Sequence, residues 1–554
     1  MNSFKKFSMS AVATAFLLAG CSKNLDLTPQ NDNTADKVFK TPLGYTEAIA
    51  KVYGCIATTG NQGPAGAGDV SGDEGFSEFV RGFWNLQELP TDEALVSWAD
   101  VGLPDIHNMS WTPSNGFIRQ LYARSYYQIT VANQFLKEAT DDKLNSKGFS
   151  AADVENIKFY RAEARFWRAY QYWVVMDLFG NVPFALEVST IAPKQIQRDK
   201  LFAWIEGELK EIEPLLRAPR TNEYGRVDQA ACWALMARVY LNAKVYSGTD
   251  RYADAATYAK KVIDAGYSLT PNYRNLMVAD NDQVAKNEFI LTVNYDGTRT
   301  QCYGGTTFLV NASNGSEKYS FKAFDPTISD TLRQDINYGT GGWNGLKALK
   351  TLVGLFPDSG ATSSADLRAQ FVSAYLGKTK SRPLKDSVRR KSIQIKTITN
   401  ADEGVRVYKY RNVTSTGALG SDPSKTFGDA DFPLFRLGEM YLIYAEAAAR
   451  GAADQGLGLQ YINTLRNRAY GNANGNVTSY DVNFVLDERA RELYWEGHRR
   501  TDLIRYGYFT AGTYLWPFKG GQAEGKGVDD YRSLYPLPSA DVIANPNLKQ
   551  NTGY

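Results

Sequence analysis

Histidine is almost missing from this chain: its 554 residues include only His107 and His498. A histidine-ligated metal centre, or a nucleophile driven by an imidazole base, has almost no material here. G-x-S-x-G, H-E-x-x-H and paired cysteines at zinc spacing are also missing, which removes the commonest hydrolase and metalloenzyme signatures. Cysteine is scarce, at four residues, and once Cys21 is set apart an odd number remains, so no disulfide framework is expected. Cys232 falls inside an apolar helical stretch, where a buried inert thiol is expected. No charge excess exists either. The formal net charge of +2 falls to neutral if Lys5 and Lys6 leave with a signal segment, which argues against nucleic acid as a partner. Beyond the N-terminus no run of about 18 apolar residues occurs, so no later segment is expected to span a membrane. Sixty acidic residues always offer carboxylate pairs, but nothing marks any pair out. The expectation is a binding protein and not an enzyme, with a glycoside hydrolase as the lesser alternative.

Aromatic residues are what the chain has in excess: 34 Tyr, 27 Phe and 10 Trp. Amphipathic rings suit both a large core and surfaces that hold something partly polar. The N-terminus reads as an address. Lys5 and Lys6 precede an apolar run ending in Leu18-Ala19-Gly20-Cys21, which resembles a lipoprotein cleavage box. Residues 1–20 are then a signal peptide, Cys21 carries lipid, and the polar residues 21–40 form a tether.

The organising stretch runs from Asp228 to Tyr267. Trp233, Met236, Ala237, Tyr240 and Leu241 recur at helical spacing after Asp228, a capping residue, and Tyr252, Ala255, Ala256, Ala259, Val262 and Ile263 repeat the pattern before Gly266. This alanine-rich helical hairpin is similar to a tetratricopeptide unit, which needs neighbours to bury its apolar face. Neighbours are predicted on both sides. A first helix covers 41–58, with Leu43, Ala48, Ile49, Val52 and Tyr53 inward, a long one covers 153–177, and another starts at Asp199. Helical spacing returns at Phe435 with a partner around Leu459 to Leu465. A third helix, 484–505, is dense in charge and reads as a solvated or helix-packing face, with Asp487–Arg491 and Glu496–Arg500 as i,i+4 pairs. The scaffold thus covers about 153–267 and 433–506. Segments 59–115 and 268–431 are irregular, with a few strands such as Phe289 to Val293. In the first of these, a glycine-rich loop from Gly60 to Gly75 lacks the phosphate-loop pattern. The mixture of Phe76, Phe79, Arg81, Phe83, Trp84 and the Glu88-Leu89-Pro90-Thr91-Asp92-Glu93 run reads as a partly wet binding loop.

These blocks, together with RAEARFWRAYQYWVVMDLFGNVP, DFPLFRLGEMYLIYAEAAAR, LDERARELYWEGHRRTDLIRYG and the closing YPLPSADVIANPNLKQNTGY, resemble the SusD/RagB family of surface glycan-binding lipoproteins, nearest its starch-binding founding member. The resemblance covers nearly the whole chain. It implies a mostly α fold: a single domain over 41–554, with a tetratricopeptide-like scaffold and an irregular, loop-rich binding face. It further implies a lipid-anchored protein facing outward from the outer membrane, a neutral polysaccharide or oligosaccharide as ligand, and a TonB-dependent, SusC-like transporter as partner. A RagB-like peptide binder is the rival within the family. Carried over residue by residue, the carbohydrate site is Asp73, Arg81, Trp98, Tyr303 and Trp343. Val96 stands where the starch binder has a tryptophan and Val101 where it has an asparagine, which favours a glycan other than starch. The resemblance also suggests structural calcium near Asp282, Asp429 and Asp431, although neither stretch is an EF-hand loop.

Overall fold

Residues 34–70, 75–314, 338–356, 365–372, 395–400 and 403–554 are described by the computed structural model. Helix α1 (Ala35–Val38) leads to Phe39, whose buried ring stands edge-on to Tyr45 at 4.9 Å and to Phe135 at 6.4 Å. The tether expected to reach Lys40 therefore ends by Thr34, because burying Phe39 between two rings offsets the entropy of ordering its polar neighbours. Pro42 and the Thr41 side chain, which accepts the Gly44 N–H, start α2 (Pro42–Ala57). Leu43, expected inward, is 65% exposed. At about 100° per residue it lies about 120° around the helix from Ile49, whereas Tyr45 lies about 40° away and takes the inner place.

Helix α3 (Phe79–Glu88) and strand β1 (Ala94–Val96) occupy the stretch expected to be a wet loop. Its Phe79, Phe83, Trp84, Glu88, Leu89, Thr91, Asp92 and Glu93 are all buried, and of the residues named there Phe76 and Arg81 keep partial exposure. Helix α4 (Gly116–Glu138) packs on α5 (Ala151–Phe179), and α5 on α6 (Arg198–Ile212). Asp228 accepts the Ala231 N–H to start α7 (Gln229–Leu241), and α8 (Tyr252–Ile263) completes the expected hairpin, with Gly266 at φ 85° beyond it. Buried alanines on both helices bring them close.

The second half of the scaffold docks on this hairpin. Strand β2 (Phe289–Val293) precedes α9 (Gly305–Ser313) and β3 (Leu346–Ala348), and pairs antiparallel with β4 (Phe432–Arg436). β3 pairs with β1 in the register Ala94↔Ala348 and Val96↔Leu346. Helix α10 (Leu437–Ala449), following β4 directly, packs on α8 and on α11 (Gln455–Tyr470).

The charge-dense segment is two helices, α12 (Val482–Leu493) and α13 (Arg499–Arg505), separated where Trp495 and Gly497 take φ of 68° and 81°. That break swings Arg500 away from Glu496 and onto Asp177 at 3.0 Å. Arg491 pairs with Glu488 and not with Asp487. The run is a buried packing face and not a solvated one. Arg436 of β4 bridges Glu288, Glu492 and Glu496 at 3.0, 2.7 and 2.7 Å, all of them buried. Arg499 grips Asp92 through two bonds of 2.7 and 2.8 Å, and Glu88 Oε1 accepts the N–H groups of Gly497 and His498. The Glu88–Glu93 run is thus a clamp joining the two ends of the chain, and β1 leaves it in a fixed direction toward Trp98.

Candidate functional site

Three half-buried rings form a row. Tyr303 and Trp343 lie 6.2 Å apart with planes at 48°, and Trp343 and Trp98 lie 6.5 Å apart at 46°. Arg81, on the first turn of α3, donates from Nη1 to the Tyr303 carbonyl at 3.4 Å. Its guanidinium lies 4.8 Å above the Phe308 ring of α9, and Trp98 meets that same buried ring at 5.9 Å. Four of the five residues expected in the carbohydrate site are therefore brought together. The fifth, Asp73, lies outside the described residues, as does Cys21.

The two indoles are held by backbone. The β1–β3 ladder continues through Ser97, whose N–H reaches the Gly345 carbonyl at 3.0 Å, and the Trp98 indole N–H donates to the Asn344 carbonyl at 2.7 Å. A Cβ on Gly345 would lie 2.5 Å from that indole. On either side of Trp343, Gly342 and Asn344 take φ of 78° and 54°, and the turn is fastened to the end of α9 by Trp343 N–H to Asn311 O at 2.6 Å and Asn344 N–H to Asn314 O at 2.8 Å. Residues that tolerate positive φ flanking a tryptophan are the sequence signal of a ring presented on a tight turn. Asn311, Asn344, Gly345 and Phe308 are supporting residues that sequence reading missed.

Val96 is 1% exposed and pairs with Leu346 of β3, so its side chain faces the core and is no part of the ring row. Trp98, two residues on, supplies the third ring. Val101 is 97% exposed and adds no hydrogen-bonding group there.

The chemistry on offer is stacking and hydrogen bonding. Cys302, beside Tyr303, is buried, and burial pushes its thiol up, away from the reactive thiolate. Burial likewise lowers His107 to about 4; its Nδ1 donates to the Leu89 carbonyl and its Nε2 accepts the Val96 N–H, a neutral imidazole that ties the clamp to β1. His498 is driven well below the ordinary histidine range by burial and by neighbouring arginines.

Each aspartate expected to hold calcium is engaged by donors of the protein itself. Among the described residues no three acidic, histidine or cysteine side chains gather into a metal-holding group. Asp431 accepts from Tyr295 N–H and Tyr224 O–H, both at 2.8 Å, Asp429 from the N–H groups of Gly297 and Ser421, and Asp282 from Gln283. Their oxygens are directed at local donors. Burial foremost, with repulsion from Asp282 and Asp429, raises Asp431 to about 7. Among the described residues, no helix is long and apolar enough to cross a membrane.

Comparison with known proteins agrees with this architecture. Residues 287–554 match the profile described as the SusD family, and residues 77–241 match one described as starch-binding, associating with outer membrane. The chain is 36% identical to the starch-binding protein SusD of Bacteroides thetaiotaomicron, over 98% of each chain. It is 22% identical to SusD-like protein P2 of Formosa agariphila, over 99% of this chain and 100% of that one. Among solved structures, a SusD homologue of Bacteroides thetaiotaomicron superposes with a TM-score of 0.69 at 18% identity, covering 94% of this chain and 99% of that one. Surface glycan-binding protein A of the same organism, in complex with laminarihexaose, gives 0.66 at 20% identity over 92% and 98%.

Proposed function

The chain belongs to the SusD/RagB family, and from that premise we propose that it captures a neutral polysaccharide whose chain curves, rather than performing catalysis on it. The observation that carries the reading is the ring row. Three platforms turned by 48° and 46° from one to the next do not match the flat face of an extended ribbon; they suit a curling chain that offers successive sugar faces. Arg81 supplies a fixed donor to sugar hydroxyls at the edge of the row. Because Val96 is a core residue outside the ring row, an α-glucan of the starch type is the first ligand to try, with a fructan second. Stripping hydroxyls of water limits the affinity to a moderate value. Calorimetric titration with a linear α-glucan oligosaccharide, a cello-oligosaccharide and a fructan tests this: heat with the α-glucan and none with the cello-oligosaccharide is expected, and binding only to the straight chain overturns it.

A glycan held at the surface still has to enter the cell, so the same reading includes a TonB-dependent transporter as partner and a lipid on Cys21 as anchor. Several acyl chains give stable membrane attachment where one gives only a marginal hold. Mild detergent extraction followed by pull-down is expected to recover a large membrane protein with this chain. Replacing Cys21 by alanine is expected to release the protein from the membrane fraction; retention there would contradict the anchor.

A further inference from the structure

One buried carboxylate ties Arg81 to Tyr303. Glu78, 1% exposed, is the N-cap of α3. Its Oε1 accepts the Val80 N–H and the Tyr295 hydroxyl, each at 2.9 Å, and its Oε2 accepts the N–H groups of Arg81 and Gly305, each at 2.7 Å. A helix cap needs only the Val80 and Arg81 bonds. The other two donors belong to the distant segment that carries Tyr303, and an ionised carboxylate, having no proton of its own, can accept from all four. Burial pushes the Glu78 carboxyl up, while these donors and the positive end of α3 oppose that shift.

The backbone is shaped around this contact. A Cβ on Gly304 would fall 2.4 Å from the Glu78 Cβ, and one on Gly305, at φ 54°, would fall 2.2 Å from the Tyr295 ring. Two consecutive glycines directly after Tyr303 are what a close approach to a carboxylate requires. Arg81, reaching back to the Tyr303 carbonyl, closes the circuit.

We propose that Glu78 is the positioning residue of the binding face: it fixes the separation of Arg81 and Tyr303, and with Tyr303 the spacing of the ring row. This rests on the glycan reading above. Two variants separate positioning from folding. Glu78→Asp is one methylene shorter, so it keeps the cap and loses Gly305 and Tyr295. Tyr295→Phe removes a single donor. Each is made in the wild-type and in the Tyr303→Ala background, and is followed by affinity electrophoresis in amylopectin, by thermal melting and by hydrogen exchange of the peptide spanning residues 301–308.

Expected are a loss of retention of about tenfold for Glu78→Asp and a smaller one for Tyr295→Phe. Exchange over 301–308 rises while that over 79–82 holds, and neither variant weakens binding further once Tyr303 is alanine. Unchanged retention by Glu78→Asp overturns the proposal, as does an equal loss in the Tyr303→Ala background. If Glu78→Asp does not fold, Tyr295→Phe decides by the same criteria. If amylopectin does not retard the wild type, the glycan reading has failed in its starch form, and exchange still decides: unaltered protection over 301–308 rejects the positioning role.

Discussion

Trp343 discloses its own setting through its neighbours. A tryptophan between glycine and asparagine is poorly placed to continue a helix or a strand and well placed on a turn, and the φ values of Gly342 and Asn344 explain why those neighbours are there. Glu78 discloses nothing of the kind, because a lone glutamate beside a phenylalanine carries no mark of partners more than 200 residues away. Gly345→Val is expected to weaken glycan binding at least about tenfold by displacing the Trp98 indole, with thermal melting as the control that the fold survives. Asp431 yields a pH prediction. Its folded pKa of about 7 lies above its unfolded value, so the native chain holds the extra proton, and the stability this gives is full at low pH and lost as pH rises toward and through 7. Asp431→Asn keeps an oxygen for the Tyr295 N–H and carries no charge, so its melting temperature is expected to gain on the wild type between pH 5 and pH 8, by a few degrees. Calcium and EDTA are expected to leave both proteins unchanged; a calcium-dependent rise in the wild type alone would instead show a metal role.

Among elements, the hairpin and α5 were legible, whereas α3, α4, the break between α12 and α13 and the fate of charge were not. The α7–α8 hairpin, its cap and its stop are local facts written in spacing, and α5 departs from the reading only by two residues at each end. Whether a charged helix faces water depends on what lies opposite. Arg499 finds Asp92 across 407 residues of chain, and no local window of sequence contains both. Removing one member of a fully buried pair strands the other, so Arg499→Ala is expected to cost about 3–5 kcal/mol in urea unfolding. Asp487→Asn on the same segment, where the nearby Arg491 is engaged by Glu488, is expected within about 0.5 kcal/mol of wild type. Equal effects of the two would mean that the clamp carries no special weight.

At the scale of the molecule, the scaffold closes because α10 docks on α8 and the Glu88–Glu93 clamp draws the early chain onto the late one, which sets Trp98 beside Trp343 and Tyr303 at one face. This face is expected to bind a glycan through its rings. The most direct test is affinity electrophoresis of wild type, Trp343→Ala and Tyr303→Ala in gels containing amylopectin, pullulan, inulin or a soluble cellulose derivative. Retardation of the wild type by at least one of the curving polysaccharides is expected, with a loss of about tenfold or more in each variant and melting temperatures kept. Retardation of all three proteins alike, or of none in any gel while a peptide library is bound, would contradict it.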